Sequence, residues 1–304
     1  MPQYLGQHFL KNKKKLKEII DALDLKMGDV VIEIGPGKGA LTIPLAEKCR
    51  ELNCKIIAIE KDKYLENNLR SKIYDLGIKN VEIIEDDILK ILPKLTTNYG
   101  LRTTNYGLRT TNYKIVGNIP YYITGYLFRI LGELENKPEL IVLLIQKEVA
   151  ERVCAKPKKM NLLAASAQFW AEPEIISYVS KNDFSPPPKV ESAIIKLTPI
   201  TLDRRSSMQC NEDDYYKFIK ILFKQPRKTI LNNLLSGIAD KNTAIPVDSA
   251  LSVRIAGNKK EKIKEEIIKK IKSIGIDPQN RPQDLDIYKI KKLIEMNFSL
   301  KTDS

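Results

Sequence analysis

The sequence predicts an α/β protein: a parallel sheet covered on both faces by helices, followed by a smaller α-helical domain. Two observations predict it. Apolar runs of strand length alternate with stretches of helical period through the first 145 residues. After about residue 203 only helix-period patterns remain, and the polar stretch 201–211 separates the two regimes. The expected division is therefore residues 1–202 and 203–304, consistent with a soft prior of roughly 150 residues per domain.

Taken in order, residues 12–25 read as an amphipathic helix, with Leu16, Ile19, Ile20 and Leu23 at i, i+3, i+4 and i+7. Strands are expected at 30–34, 55–59, 81–84, 114–116 and 140–145, with helices at 41–50, 63–74 and 123–134 between them. Two further runs, 175–179 and 193–197, are joined by the Pro-rich link 184–188 and suit an antiparallel pair at the sheet edge. The second domain is expected to hold helices at 215–223, 228–235, 259–273 and 284–297. Residues 96–113 read TTNYGLR twice and then TTNY. A seven-residue unit has no stacking face of its own, so this segment is expected to be an expanded surface loop.

Composition narrows the function. Hydrophobic residues make up 43% and charged residues 29%, the balance of a globular protein with a real core. The longest apolar run, 140–145, is far short of the roughly 20 residues a spanning helix needs, and the first residues carry no secretion signal. A cytoplasmic protein is expected, with no membrane association. One His and four Cys without a CxxC pair argue against a zinc site and for reduced structural thiols. No metal is expected. The net charge is +13, and from Tyr215 onward 19 Lys and Arg face 10 Asp and Glu, which favours a polyanionic partner.

The chemistry gathers at strand ends. Gly35-Pro36-Gly37-Lys38-Gly39 directly follows the first strand, where glycine lets the backbone approach a ligand closely. The spacing matches neither the dinucleotide fingerprint nor a P-loop. Glu60 ends the next strand and suits the two hydroxyls of a ribose; Glu85-Asp86-Asp87 follows the third and could accept from an adenine amine. The fourth ends in Gly117-Asn118-Ile119-Pro120-Tyr121. A base amine is a poor nucleophile because its lone pair is delocalised. Acceptors at the Asn118 side chain and at the main-chain carbonyl of Ile119 or Pro120 would favour its pyramidal form and the charge that develops on attack. Tyr121 offers a stacking face for a splayed base.

These motifs occur in one order with GQHFL (6–10), VIEIGPGKGALT (31–42), IEKD (59–62), EDDIL (85–89), NIPYYIT (118–124), QKEVAERV (146–153), FSPPPKVESAII (184–195), FKQPRKTILNNL (223–234) and GIDPQNRPQDL (275–285). The set resembles the small-subunit rRNA adenine N6,N6-dimethyltransferase family over nearly the whole chain. The resemblance implies a Rossmann-like, class I S-adenosylmethionine-dependent methyltransferase sheet with an RNA-binding helical domain. It implies dimethylation of two adjacent adenines in the 3′-terminal hairpin of 16S rRNA, on a partly assembled 30S subunit, by a monomer. By position, His8 and Leu10 would touch the cofactor, Gly35 would lie under its methionine part, Glu60 would hold the ribose and Asp87, rather than Asp86, would read its adenine. Asn118 would serve both cofactor and amine, Pro120 would belong to the catalytic turn, and Tyr121 and Phe184 would sandwich the target base. Arg227 and Lys228 would face RNA.

The chain departs from the family pattern at Pro226, where a basic residue is usual, at 155–161, and in the insertions 96–113 and 239–258. Two alternatives are a large-subunit (23S) rRNA adenine methyltransferase of the resistance type and a non-catalytic assembly factor. GPGKGALT, PPPKVESA and RPQDL speak against the first, and intact Glu60, Asn118 and Tyr121 against the second.

Overall fold

The computed structural model describes residues 8–96, 113–200, 212–239 and 257–296. The chain forms two compact units: Met1–Glu151 with Ala171–Pro199, and Arg152–Trp170 with Ile200–Ser304.

The first unit opens with a short strand β1 (Phe9–Leu10) and helix α1 (Lys13–Ala22), whose start Asn12 caps by accepting from the amides of Lys14 and Lys15. Then follow β2 (Val30–Ile34), α2 (Thr42–Glu51), β3 (Lys55–Glu60), α3 (Lys63–Asp75), β4 (Val81–Glu85) and α4 (Ile88–Leu95). After them come β5 (Tyr113–Asn118), α5 (Thr124–Glu133), β6 (Leu140–Gln146) and α6 (Lys147–Val153). The unit closes with β7 (Ala171–Val179), β8 (Phe184–Ser185) and β9 (Ser192–Pro199).

Seven strands form one sheet in the order β4-β3-β2-β5-β6-β9-β7. β2 pairs in parallel with β3 and β5, β3 with β4, and β5 with β6. β9 runs antiparallel to both β6 and β7, as the two late apolar runs suggest. β2, β3, β5 and β6 are buried almost throughout, which is why they read as continuous apolar runs rather than alternations. The chain leaves β2 toward β3 and β4, then returns to lay β5 on the other side of β2. That reversal opens a crevice at the carboxyl ends of β2 and β5.

Two buried charges stand in this sheet. Lys114 on β5 is 1% exposed and pairs with Asp29 at 2.8 Å, while its ammonium also donates to the Asp24 carbonyl. Glu33 on β2 is equally buried, one of its carboxyl oxygens has no well-formed partner, and desolvation pushes its pKa up to about 8. The nearby Glu60 charge adds to that shift and the Thr42 hydroxyl opposes it.

The structure adds elements that the periodicity does not mark. α4 is eight residues long and contains Pro93, so its apolar face of Ile88, Leu92 and Leu95 carries little signal. The β1–β8 ribbon has two residues a side, too few for any period. β7 begins at Ala171 rather than 175, since Glu172 and Glu174 occupy the open side of an edge strand.

The second unit holds helices Leu162–Gln168, Glu212–Leu222, Ile230–Ala239, Gly257–Ser273 and Ile287–Glu295. Its core includes Phe218, Ile219, Leu222, Ile230, Leu234, Ile267, Ile271, Ile290 and Leu293. The division at residue 202 needs correcting, because Arg152–Trp170 belongs with these helices. Phe169 stacks on Tyr215 at 4.0 Å, and the Tyr215 hydroxyl donates to the Ala165 carbonyl at 2.9 Å. The separating stretch 201–211, the interior of the heptad repeat and residues 240–256 of the second insertion lie outside the described residues. No helix among the described residues is long and apolar enough to cross a membrane.

Candidate active site

A cleft at the carboxyl ends of β2, β3 and β5 is lined by His8, Phe9, Gly35, Gly37, Glu60, Asn118, Ile119, Pro120 and Tyr121. The glycine turn after β2 forms its floor. Gly35 and Gly37 both hold positive φ, +64° and +57°, where a side chain is strained. A Cβ on Gly37 would meet the Phe9 ring at 2.8 Å, whereas one on Gly35 would find only the Asn118 carbonyl, at 3.9 Å. The backbone at Gly35 is therefore open to a ligand.

Glu60 ends β3 and is 6% exposed. Its Oε2 accepts from the Gly37 amide at 3.0 Å and its Oε1 from the Asp62 amide at 2.9 Å. An ionised carboxylate has about four acceptor sites, so each oxygen keeps one for a ligand hydroxyl. The carboxylate thus fixes the glycine turn and remains able to bind.

Asp87 lies outside the cleft lining. It caps α4, with Oδ1 accepting from the Leu89 amide at 3.0 Å, and Oδ2 pairs with Lys61 at 2.9 Å. Burial pushes its pKa up, but the Lys61 ammonium and the Leu89 amide outweigh that and hold the carboxyl below its usual range. The preceding Asp86 amide donates to the Glu60 carbonyl at 3.1 Å, which keeps this turn beside the end of β3.

On β5, the Asn118 side-chain amide donates to the His8 carbonyl at 2.9 Å. With its nitrogen held there, its Oδ1 has no partner among the described residues. The two carbonyls that follow are not equivalent. Pro120's accepts from the Ile123 amide at 3.1 Å and closes a 3-10 turn, while Ile119's accepts from no described donor. Tyr121 is held by a 2.9 Å hydrogen bond between its hydroxyl and Ser192 Oγ. Burial raises its pKa, so the phenol stays neutral and its use is the ring.

His8 Nδ1 lies 2.9 Å from the Pro186 carbonyl, and its ring centroid is 6.1 Å from that of Tyr121. A carbonyl partner requires Nδ1 to carry the proton. The residue bridges the cleft wall to the 184–188 link.

Two expected site residues are not brought together with these. Phe184 is 1% exposed and Leu10 is 3% exposed. They pair across the β1–β8 ribbon and pack into the core with Val179 and Ile194. Phe184 is thus buried and does not belong to the residues that line the cleft. Arg227 and Lys228 are exposed in the turn between helices Glu212–Leu222 and Ile230–Ala239 of the second unit. Sequence reasoning missed what shapes this turn. Asn233, 2% exposed, donates to the carbonyls of Gln225 and Thr229 at 3.1 and 3.2 Å and accepts from the Gln225 amide at 3.2 Å. Its only sequence signal is its place inside the FKQPRKTILNNL motif. Ser192, the anchor of Tyr121, is likewise marked in the sequence only by its place inside FSPPPKVESAII.

A family model described as ribosomal RNA adenine dimethylase matches residues 2–274. The chain belongs to the ribosomal RNA adenine dimethylase family. It is 35% identical to ribosomal RNA small subunit methyltransferase A of Dehalococcoides mccartyi strain CBDB1, over 95% of this chain and 86% of that one. To the protein of the same name from Mycoplasma capricolum it is 33% identical, over 97% of each. Among solved structures it resembles a dimethyladenosine transferase from Plasmodium falciparum, with a TM-score of 0.68 and 27% identity, covering 94% of this chain and 96% of that one. It also shares its fold with the 23S rRNA methyltransferase ErmE, at a TM-score of 0.65 and 21% identity over 95% of this chain and 99% of that one. The family match places this chain among enzymes that methylate adenine in ribosomal RNA.

Proposed function

We propose that this chain dimethylates the N6 amines of two adjacent adenines in the 3′-terminal hairpin loop of small-subunit (16S) rRNA, using S-adenosylmethionine. Its substrate is a partly assembled 30S subunit in the cytoplasm, on which it acts as a monomer. The observation that carries this reading is Asn118, which is anchored through its amide nitrogen and so presents an unengaged carbonyl oxygen at the cleft that also holds Glu60 and Tyr121. Small-subunit rRNA is favoured over large-subunit rRNA by the curated relatives, which carry the small-subunit name at 33–35% identity over at least 95% of this chain.

The residues present fit the cofactor. The open backbone of Gly35, the spare acceptor sites of Glu60 and the adjoining His8 would hold it, and Asp87 keeps lone pairs for its adenine. When bound, S-adenosylmethionine supplies an electrophilic methyl group on a positively charged sulfur.

The chain's own residues prepare the amine. Asn118 Oδ1 and the Ile119 carbonyl, the one that the turn leaves free, accept the two N–H groups of the target adenine. Acceptors in that arrangement draw the nitrogen lone pair out of ring conjugation and stabilise the positive charge that grows on it. Tyr121, pinned through Ser192, stacks on the base and fixes its plane. No strong base is needed, because the ammonium product gives its proton to water. Most of the acceleration is orientation. In the second unit, Arg227 and Lys228 contact RNA phosphates from a turn that Asn233 staples.

The test is methyl transfer from labelled S-adenosylmethionine to small subunits lacking the modification, with large-subunit rRNA alongside. N6,N6-dimethyladenine in the 3′-terminal hairpin is the expected product. Label confined to large-subunit rRNA would assign the resistance-type reaction instead. Cofactor binding without label on either would assign a non-catalytic role in assembly.

A further inference from the structure

We infer that Tyr122 and Tyr126, continued by Arg129, form a stacking platform for the unpaired nucleotides that flank the target adenine. The inference rests on the functional reading above and adds to it how the substrate strand is held outside the cleft.

The chain turns inside out at the cleft mouth. Tyr121 points its hydroxyl to buried Ser192, whereas the next residue, Tyr122, is 63% exposed. One helical turn later Tyr126 is 55% exposed. Leu127, Phe128, Ile130 and Leu131 bury the opposite side of α5, so its solvent side is set by packing. Positions 126 and 129 are spaced i and i+3 on that helix, and Tyr122 stands in the 3-10 turn Tyr121–Ile123 that leads into it. Arg129 bonds Glu133 through Nε at 2.8 Å, which leaves both terminal guanidinium nitrogens without a partner among the described residues.

Two large aromatic rings in water beside a site that stacks a base have a specific use. Drawing one adenine out of a loop removes a stacking partner from each neighbour. Aromatic faces and a guanidinium plane restore that stacking without demanding a particular base. Two other exposed tyrosines are placed differently. Tyr288 already carries the Lys292 ammonium over its ring at 4.5 Å. Tyr74, 85% exposed, lies at the last turn of α3, and so at the amino-terminal edge of the parallel sheet, away from the cleft.

The experiment uses a small-subunit hairpin RNA with 2-aminopurine beside a target adenine, together with methylation kinetics on small subunits. Quenching of 2-aminopurine on binding reports stacking. The Tyr122→Ala/Tyr126→Ala double variant is expected to lose the quench and to raise KM for RNA about tenfold or more, within the range that base–aromatic stacking supports. Its kcat should stay within about twofold of wild type. Tyr122→Phe/Tyr126→Phe should restore both readouts, and Tyr74→Ala should change neither. Wild-type quench and KM in the double alanine variant would overturn the platform. A loss on assembled subunits with the quench intact would overturn it in favour of a ribosomal protein as the partner of this face. If wild type transfers no methyl group, the functional reading fails, while the quench still decides whether these rings stack on RNA.

Discussion

Asn118 has one anchored side-chain atom and one open one. Its nitrogen ties β5 to the segment before β1 through the His8 carbonyl, and its oxygen has no partner among the described residues, as the proposed role requires. Asn118→Ala is expected to abolish methyl transfer while RNA affinity stays within about twofold, measured by single-turnover kinetics and a binding titration. Wild-type turnover in that variant would remove Asn118 from the chemistry. Glu33 makes a different kind of prediction. Its carboxyl group is neutral in the fold up to about pH 8, against a reference value of 4.5. A raised native pKa means that the native state retains a proton that the unfolded chain gives up. Its contribution is therefore fully present below pH 4.5 and declines as pH rises to about 8. The slope is at most about 1.4 kcal/mol per pH unit for one group. Glu33→Gln removes this dependence, so denaturant titrations should find the variant gaining on wild type between pH 5 and pH 8. A constant difference across that range would show that Glu33 is ionised in the fold. Neither feature follows from residue spacing alone: Asn118 was legible as a candidate acceptor, but that the Pro120 carbonyl closes a 3-10 turn while that of Ile119 does not is visible only in the structure.

At the scale of elements, the parallel strands and the antiparallel edge pair were legible because burial on both faces writes itself as uninterrupted apolar runs. Short elements were not. β1 and β8 carry two residues each, so the ribbon that sets Phe184 opposite Leu10 leaves no period to read. The heptad repeat is a loud sequence signal of another kind. Thr96, the first residue of the first copy, ends α4 with its hydroxyl donating to the Leu92 carbonyl at 2.9 Å. Tyr113, the last residue of the partial third copy, begins β5 with its hydroxyl on the Asn136 carbonyl at 2.6 Å. Both of these end residues are buried. Deleting 97–110 leaves Thr111 and Asn112 to join them, within the range of ordinary connections. Shortening the link about eightfold relieves about 2 kcal/mol of closure entropy. The deletion variant should therefore unfold at higher denaturant and methylate as wild type does. A destabilised or inactive deletion would mean that the copies hold structure or substrate.

Charge is a property of the whole molecule, and here its use can be separated from its amount. The net +13 attracts any polyanion, and the excess from Tyr215 onward makes the second unit the richer source. An attraction of that kind is diffuse, whereas the turn at 224–229 is built. Asn233 fixes the backbone at Gln225 and Thr229, so Arg227 and Lys228 are presented in a set geometry rather than on a free loop. Pro226, standing where the family usually has a basic residue, lowers the number of charges in that turn without altering its staple. Removing one cation that neutralises a phosphate should lower the dependence of log K on log salt by about 0.7 to 0.9. Arg227→Ala/Lys228→Ala is thus expected to reduce the slope by about 1.4 to 1.8, twice that figure, while leaving cofactor affinity unchanged. Asn233→Ala should act differently. It removes no charge, but it leaves the Gln225 amide without its acceptor and takes one of two donors from the Gln225 and Thr229 carbonyls, at a cost of about 1 kcal/mol in stability. Its binding should weaken with a slope between those of wild type and the double variant, because the two cations persist but no longer hold their positions. Titrating all three proteins against the hairpin RNA over a range of salt separates the cases. Equal slopes for wild type and the double variant would mean that this turn points away from phosphate and that the positive charge acts only at long range.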